Sequence, residues 1–443
     1  MTPDQSPFSP IRRVQALLDV EVALAEALAD AGVIPPTSVM AIRAAARADR
    51  YDVSVLDAEA EQAGNPVIPL VRHLTRLVAA EDVAAARHVH WGATSQDIMD
   101  TALVLQMRAA VGAIVATLGR AADAAAALAD RHAATPIAGR TWLQQATPTT
   151  FGAKAAGWMQ GLDRVRARLA AALDSASDLQ LGGATGTLSS LGREGPAVAT
   201  ALAARLGLRV ADGPWHTERS RVADLACALG LCCGTLGKIG RDVSLLAQTE
   251  IGEVAEPSAP GRGGSSSMPH KRNPVASACA LAAAVRAPGL VATMLAAMPQ
   301  EHERALGGWQ AEWETLPALA LLTADASTAI AVALASLEVD EDRMRVNLDA
   351  AFGVARAEGL VAALAPHVGR AEAARLVEDA CRHAATSGRR LQDVAAEDTS
   401  IRGQLAPDAI ITALDPVALT ASARELVRQA LHRRRDARGP DHG

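Results

Sequence analysis

Five stretches of this chain, about 94–132, 148–175, 218–255, 273–298 and 309–336, repeat apolar residues at helical spacing. Several run well beyond the about 11 to 12 residues of an ordinary globular helix. Helices this long, apolar on wide faces and poor in caps, are expected in an elongated bundle that buries more than one side of each helix. Oligomerisation would supply the second side. Composition points the same way: half the residues are apolar, Ala and Leu dominate, and only three Phe, six Trp and one Tyr occur in 443 residues. That disfavours β-rich architectures, which lean on aromatic and β-branched side chains. The expected fold class is all-α, in three helical domains with a long central bundle.

Boundaries follow from the breaks in the pattern. Gln15 to Ala31 reads as a helix stopped by Gly32 and the Pro35–Pro36 pair. Thr94, Ser95, Gln96 and Asp97 fit a capping box opening the first long helix, which ends near Pro136. From about Asn347 the helices shorten, separated by Gly369, Gly388 and Pro407. The expected domains are therefore 1–93, 94–346 and 347–443. Two Gly-rich loops, 179–195 and 256–274, are longer than bundle connections usually are, and long loops in compact domains are often functional. The nearest approach to a membrane span, 316–337, contains Asp325 and is followed by Asp340, Glu341 and Asp342. It reads as a buried bundle helix.

A formal net charge of −6, with no basic tract beyond Arg433 to Arg435, argues against a nucleic-acid partner. A small anionic ligand would need only local positive charge. Five cysteines, Cys227, Cys232, Cys233, Cys279 and Cys381, form no CxxC pair, and Met1 to Pro10 lacks the basic and apolar regions of a secretory signal. Both features point to a reducing, cytoplasmic setting. There is no HExxH motif, no Cys/His ligand spacing and no clustered Asp/Glu motif, so no metal is implied.

The segment Gly263 to Pro274, GGSSSMPHKRNP, combines backbone freedom at its glycines, the hydroxyls of Ser265, Ser266 and Ser267, and the charges of Lys271 and Arg272. That set suits chemistry on a carboxylate; a Gly/Ser linker with an accidental basic pair is the plain alternative. Thr94 and Ser95 offer hydroxyls beside a positive helix N-terminus, which can bind an anion or serve only as caps.

Three segments together, GGSSSMPHKRNP, HVHWGATSQDIMDTA (His88 to Ala102) and GRTWLQQATPTTFGAK (Gly139 to Lys154), resemble the signature regions of the fumarase/aspartase superfamily of lyases, in the same order. The similarity extends to RRVQALLDVEVALAEAL, to GGATGT at Gly182 to Thr187 and to HERALGGWQAEWETLP at His302 to Pro317. The resemblance implies a homotetramer whose central helices merge into one multi-helix core, with each site drawing the three segments from three subunits. It implies that Ser265 transfers the proton at a carbon next to a carboxylate, with Ser266 as the fallback. Lys271 and Asn273 would hold the carboxylate as it gains charge, and His90 would contact substrate or the acid/base machinery. Thr94 and Ser95 would bind a carboxylate, Gln144 and Gln145 would orient the substrate, and Arg140 and Arg304 are candidates for extra carboxylates. His216 and Arg219 are weaker candidates.

One position departs from most of the superfamily. Members of the fumarase and adenylosuccinate lyase type carry histidine after GRT, and that histidine moves a proton to or from the leaving group; this chain has Trp142. An indole offers one N–H donor and no proton relay. The cycloisomerase branch resembles this chain here, and its reaction accounts for the loss, because the attacking and leaving group is the substrate's own carboxylate. The resemblance thus implies a cofactor-independent cycloisomerase acting on a polycarboxylate. The alternatives are an eliminase that uses another residue for the missing histidine's work, and a structural homologue without turnover.

Overall fold

The computed structural model describes residues 6–257, 264, 268 and 271–438. The fold is all-α. Its first helices are α1 (Pro10–Asp30), α2 (Pro36–Ala45), α3 (Val53–Ala63) and α4 (Val67–Ala79), followed by α5 (Ser95–Arg131). Strands β1 (Pro136–Thr141) and β2 (Gln144–Thr150) form a hairpin before α6 (Phe151–Ser175). Strand β3 (Asp178–Leu179), α7 (Gly195–Leu206), β4 (Arg209–Val210), α8 (Ser220–Leu246), β5 (Val254–Ala255), α9 (Val275–Ala296), α10 (Gly308–Ala335) and β6 (Glu338–Val339) come next. Shorter helices then run from α11 (Glu341–Asp349), α12 (Ala357–Val368) and α13 (Arg370–Ser387) to a last helix, Ala421–Arg438.

Contacts divide the chain into two compact units. The first comprises Met1–Ala116, Val165–Gly234 and Ala283–Asp325; the second comprises Thr117–Arg164, Thr235–Ala282 and Ala326–Gly443. In the first unit α1 buries Leu17, Leu18, Leu24 and Leu28 and packs on α2 and α7. β3 and β4 pair in parallel, Asp178 opposite Arg209. In the second unit α12 packs on α13 around Leu360, Leu364, Val377, Leu391, Ile401 and Ile410. Truncating any of these leucines to alanine would leave a cavity worth about 2–5 kcal/mol. β5 and β6 pair antiparallel in this unit.

Two local expectations need correction. The helical pattern from Pro148 onward gives way to a strand up to Thr150, and the helix starts at Phe151. Thr141, Thr147, Thr149 and Thr150 are β-branched, and ladder pairing of Pro136 with Thr150 through Thr141 with Gln144 satisfies this segment's backbone. Gly139 sits at the irregularity between Ala138 and Arg140, where a Cβ would lie 2.4 Å from the Thr147 carbonyl oxygen. The pattern over 218–255 is a helix only to Leu246. There the amides of Ile251 and Gly252 turn back to the Gln248 carbonyl, Gly252 adopts φ +63°, and the chain leaves as β5.

α5, α8, α9 and α10 are each long and apolar enough to cross a membrane by length and composition alone. α9 is the least covered within the chain: Val285 is 78% exposed, and Leu295 is exposed as well.

Candidate functional site

The sequence-expected residues fall into two groups, one in each unit. In the first unit the start of α5 is organised by Asp97, which is buried. Its Oδ2 accepts the Thr94 N–H at 3.0 Å, the return half of a capping box, and the Gly183 N–H at 2.9 Å. Its Oδ1 accepts the Gly182 N–H at 3.0 Å and bonds His216 Nε2 at 2.7 Å. The GGATGT loop is thereby held against the helix start. A side chain at Gly182 would collide with it, since a Cβ there would lie 2.7 Å from His216 Cε1. The Thr94 and Ser95 hydroxyls bond no other described residue. With the helix N-terminus behind them, they form an arrangement that can receive a carboxylate.

His90, in the same unit, has left-handed backbone (φ +56°), and its Nδ1 lies 2.6 Å from Oε1 of Glu21 on α1. Burial pulls the imidazole down, but the Glu21 charge, its hydrogen bond and the nearby Asp97 outweigh that and hold the ring above its ordinary value. Arg304 donates from Nη1 to Gln96 Oε1 at 2.8 Å, from Nε to the Ala184 carbonyl at 3.1 Å, and from Nη2 to the Gly183 carbonyl. It braces the loop, leaving only part of its donor fork for a ligand. Gln96 passes the connection on to the His216 carbonyl at 2.9 Å and to Asp100 at 3.2 Å.

Behind this cluster one buried guanidinium meets two buried carboxylates. Arg219 donates to Asp100 at 2.8 Å and to Glu312 at 3.0 Å, and Trp309 Nε1 donates to Asp100 at 3.1 Å. Burial raises the Glu312 carboxyl above the usual carboxylate range, with Arg219 pulling the other way. His216 and Arg219 therefore sit inside hydrogen-bond networks that shape the loop and the α5 start.

In the second unit, Arg140 makes a bidentate pair with buried Glu253, at 2.8 and 2.7 Å. Asn347 donates to Glu253 at 2.9 Å, and Gln145 donates to the Asn347 carbonyl at 2.8 Å. The hairpin stem is thus clamped. Its tip is open: Trp142 (φ +54°) and Leu143 (φ +63°) form the two-residue turn, Trp142 is 96% exposed, and Gln144 is exposed beside it. Two successive left-handed residues match a type I′ hairpin turn, which ordinarily selects Asn or Gly.

Ser265 and Ser266 lie outside the described residues, as does His270. The described residues on either side of them are bonded to one another. Glu256 accepts the Ala276 N–H and the Ser277 N–H, each at 2.8 Å, capping α9. Arg272 pairs with Glu338 at 2.6 Å and donates to the Glu256 carbonyl at 2.6 Å. Lys271 is exposed, and with Asn273 and Gln248 it lines an open groove of about 1340 Å³.

Reading the sequence did not identify the acidic partners Glu21, Asp100, Glu253, Glu256 and Glu312. One signal was available for Glu21: it occupies an otherwise apolar stripe, Leu17, Leu18, Glu21, Leu24, Leu28, where an acid is buried only with a partner.

Residues 8–289 match the family model described as "Lyase", and 353–430 match "Adenylosuccinate lyase C-terminus". The chain is 52% identical to the 3-carboxy-cis,cis-muconate cycloisomerase of Pseudomonas aeruginosa, over 97% of this chain and 94% of that one. It is 50% identical to the enzyme of the same name from Pseudomonas putida, over 90% of this chain and 95% of that one. The crystal structure of the 3-carboxy-cis,cis-muconate lactonizing enzyme from Pseudomonas putida superimposes with a TM-score of 0.93 at 48% identity, covering 97% of this chain and 96% of that one.

Proposed function

The chain belongs to the fumarase/aspartase superfamily of lyases, and within it we propose a 3-carboxy-cis,cis-muconate cycloisomerase, forming 4-carboxymuconolactone in protocatechuate breakdown. The observation that carries this reading is identity of about half the residues, over nearly the whole length, to cycloisomerases of that name. Trp142 supports it chemically. In lactonisation the substrate's own carboxylate attacks, already anionic at neutral pH, so no residue has to deprotonate a nucleophile. What remains is delivery of a proton to the carbon beside another carboxylate.

In this reading Ser265 transfers that proton. Lys271 and Asn273 hold the carboxylate as charge builds on its oxygens. Thr94 and Ser95, with hydroxyls that no described residue engages, take a second carboxylate at the α5 N-terminus. His90 contributes a donor from a ring already fixed at Nδ1. No cofactor or metal takes part.

The reading includes a cytoplasmic homotetramer with shared sites. Two observations support assembly: a tryptophan and a leucine at a hairpin tip with almost no cover, and an α9 whose apolar face is open in the single chain. The test of function is a substrate panel of 3-carboxy-cis,cis-muconate, fumarate, adenylosuccinate and argininosuccinate. Loss of the diene absorbance of 3-carboxy-cis,cis-muconate, with no elimination from the other three, is expected. Efficient cleavage of adenylosuccinate would overturn the assignment. Sharing is tested by mixing His90→Ala and Ser265→Ala subunits after mild dissociation. Hybrids are expected to regain activity; hybrids that stay inactive would place both residues in one subunit's site.

A further inference from the structure

Glu21 lies in the middle of α1, 2% exposed, among Leu17, Leu18 and Leu24. An ionised carboxylate in such a place is costly unless a specific partner holds it. Among the described residues its side chain has one hydrogen-bond partner, Nδ1 of His90 at 2.6 Å, reached across 69 positions of sequence. His90 presents the ring from a left-handed backbone, a conformation that costs about 1–2 kcal/mol for a residue with a Cβ. Its Nε2 has no partner among the described residues.

We propose that Glu21 is a positioning residue for His90: its buried carboxylate accepts the Nδ1–H, fixes the ring plane, and makes Nε2 the atom offered to the substrate. This rests on the reading that His90 belongs to the site. The arrangement follows the general logic of a carboxylate–histidine pair, in which the bond at one ring nitrogen sets the role of the other. The charged groups acting on the ring are Glu21 from α1 and Asp97 from α5, and the Glu21 charge also acts on Tyr51. Both carboxylates favour the imidazolium. In that state Nε2–H is a charged donor suited to a substrate carboxylate, and proton loss at higher pH removes the donor.

Glu21→Gln keeps the shape and an acceptor oxygen but removes the charge. The experiment compares wild type, Glu21→Gln, Glu21→Asp, His90→Ala and the Glu21→Gln/His90→Ala double variant, using 3-carboxy-cis,cis-muconate turnover against pH and the nitrogen-15 NMR titration of the His90 ring. In Glu21→Gln the ring should titrate about one unit or more lower. The basic limb of kcat/KM should move down with it, so activity falls about tenfold near pH 8 and much less near pH 6. Glu21→Asp should restore part of both shifts. In the His90→Ala background Glu21→Gln should add nothing to the loss. Folded Glu21→Gln with an unmoved His90 titration overturns the proposal by itself. Full activity in His90→Ala overturns it together with the placement of His90 in the site, and the NMR shift separates the two failures.

Discussion

The start of α5 and the tip of the β1–β2 hairpin both carry candidate site residues, and they treat them in opposite ways. At α5 the acids are buried and their oxygens engaged: Asp97 by two glycine amides, an imidazole and the Thr94 amide, and Asp100 by Arg219, Gln96 and Trp309. The Thr94 and Ser95 hydroxyls, which bond no other described residue, stand beside that network. At the hairpin the stem is equally well bonded through Arg140 and Glu253, yet the tip presents Trp142 and Leu143 with little of the chain around them. The contrast teaches that one group of candidate residues is held by a network within its own unit, while the other is a projection whose apolar surface has little cover among the described residues.

The largest expected effect lies in the segment that neither region contains. Ser265→Ala should lower turnover about 10² to 10⁴-fold, the usual worth of a positioned acid or base, with the helical circular dichroism signal unchanged; Ser266→Ala should cost less. If the order reverses, the proton belongs to Ser266, and if neither matters, the segment only binds.

Next comes the preformed network. Arg219→Ala leaves Asp100 and Glu312 buried and uncompensated, and should cost about 3–5 kcal/mol in chemical denaturation. A loss below 1 kcal/mol would mean that the α5 region is far less rigid than its bonding indicates, and the contrast with the hairpin tip would collapse.

The tip should behave in the opposite sense. Leu143→Gly removes a left-handed non-glycine residue that packs on little within its own chain, so the single chain should gain about 1 kcal/mol, measured in urea at low protein concentration. A loss of stability there would show that Leu143 is packed within its own chain.

The smallest expected effect is none. Exhaustive chelation should leave lactonisation unchanged, since the charge stabilisation proposed for Lys271, Asn273 and the α5 N-terminus needs no ion. Activity that disappears and returns with a divalent metal would move that role to an ion.

Much of the fold was legible from helical periodicity, because long apolar repeats leave few other ways to satisfy the backbone and bury surface. The hairpin was not, since Gly139 to Thr150 is short and its pairing depends on residues brought opposite one another by the turn. The basic and hydroxyl members of the candidate site could be picked out by motif, His90, Thr94, Ser95 and Lys271 among them. Their acidic partners could not: Glu21 lies 69 residues from His90, and Glu253 lies 113 residues from Arg140.

By itself the sequence determined an all-α chain, three segments that resemble the signature regions of the superfamily, and a tryptophan where most of that superfamily carries a histidine. The first follows from residue type and local spacing, the other two from the likeness of short motifs. Only the tertiary structure decided which acid faces which base, that Arg140 and Arg304 are braced by protein acceptors, and that Trp142 stands almost bare at a turn. Such pairings arise when chain segments far apart in sequence are packed together, and no local pattern encodes the partner a buried charge will meet.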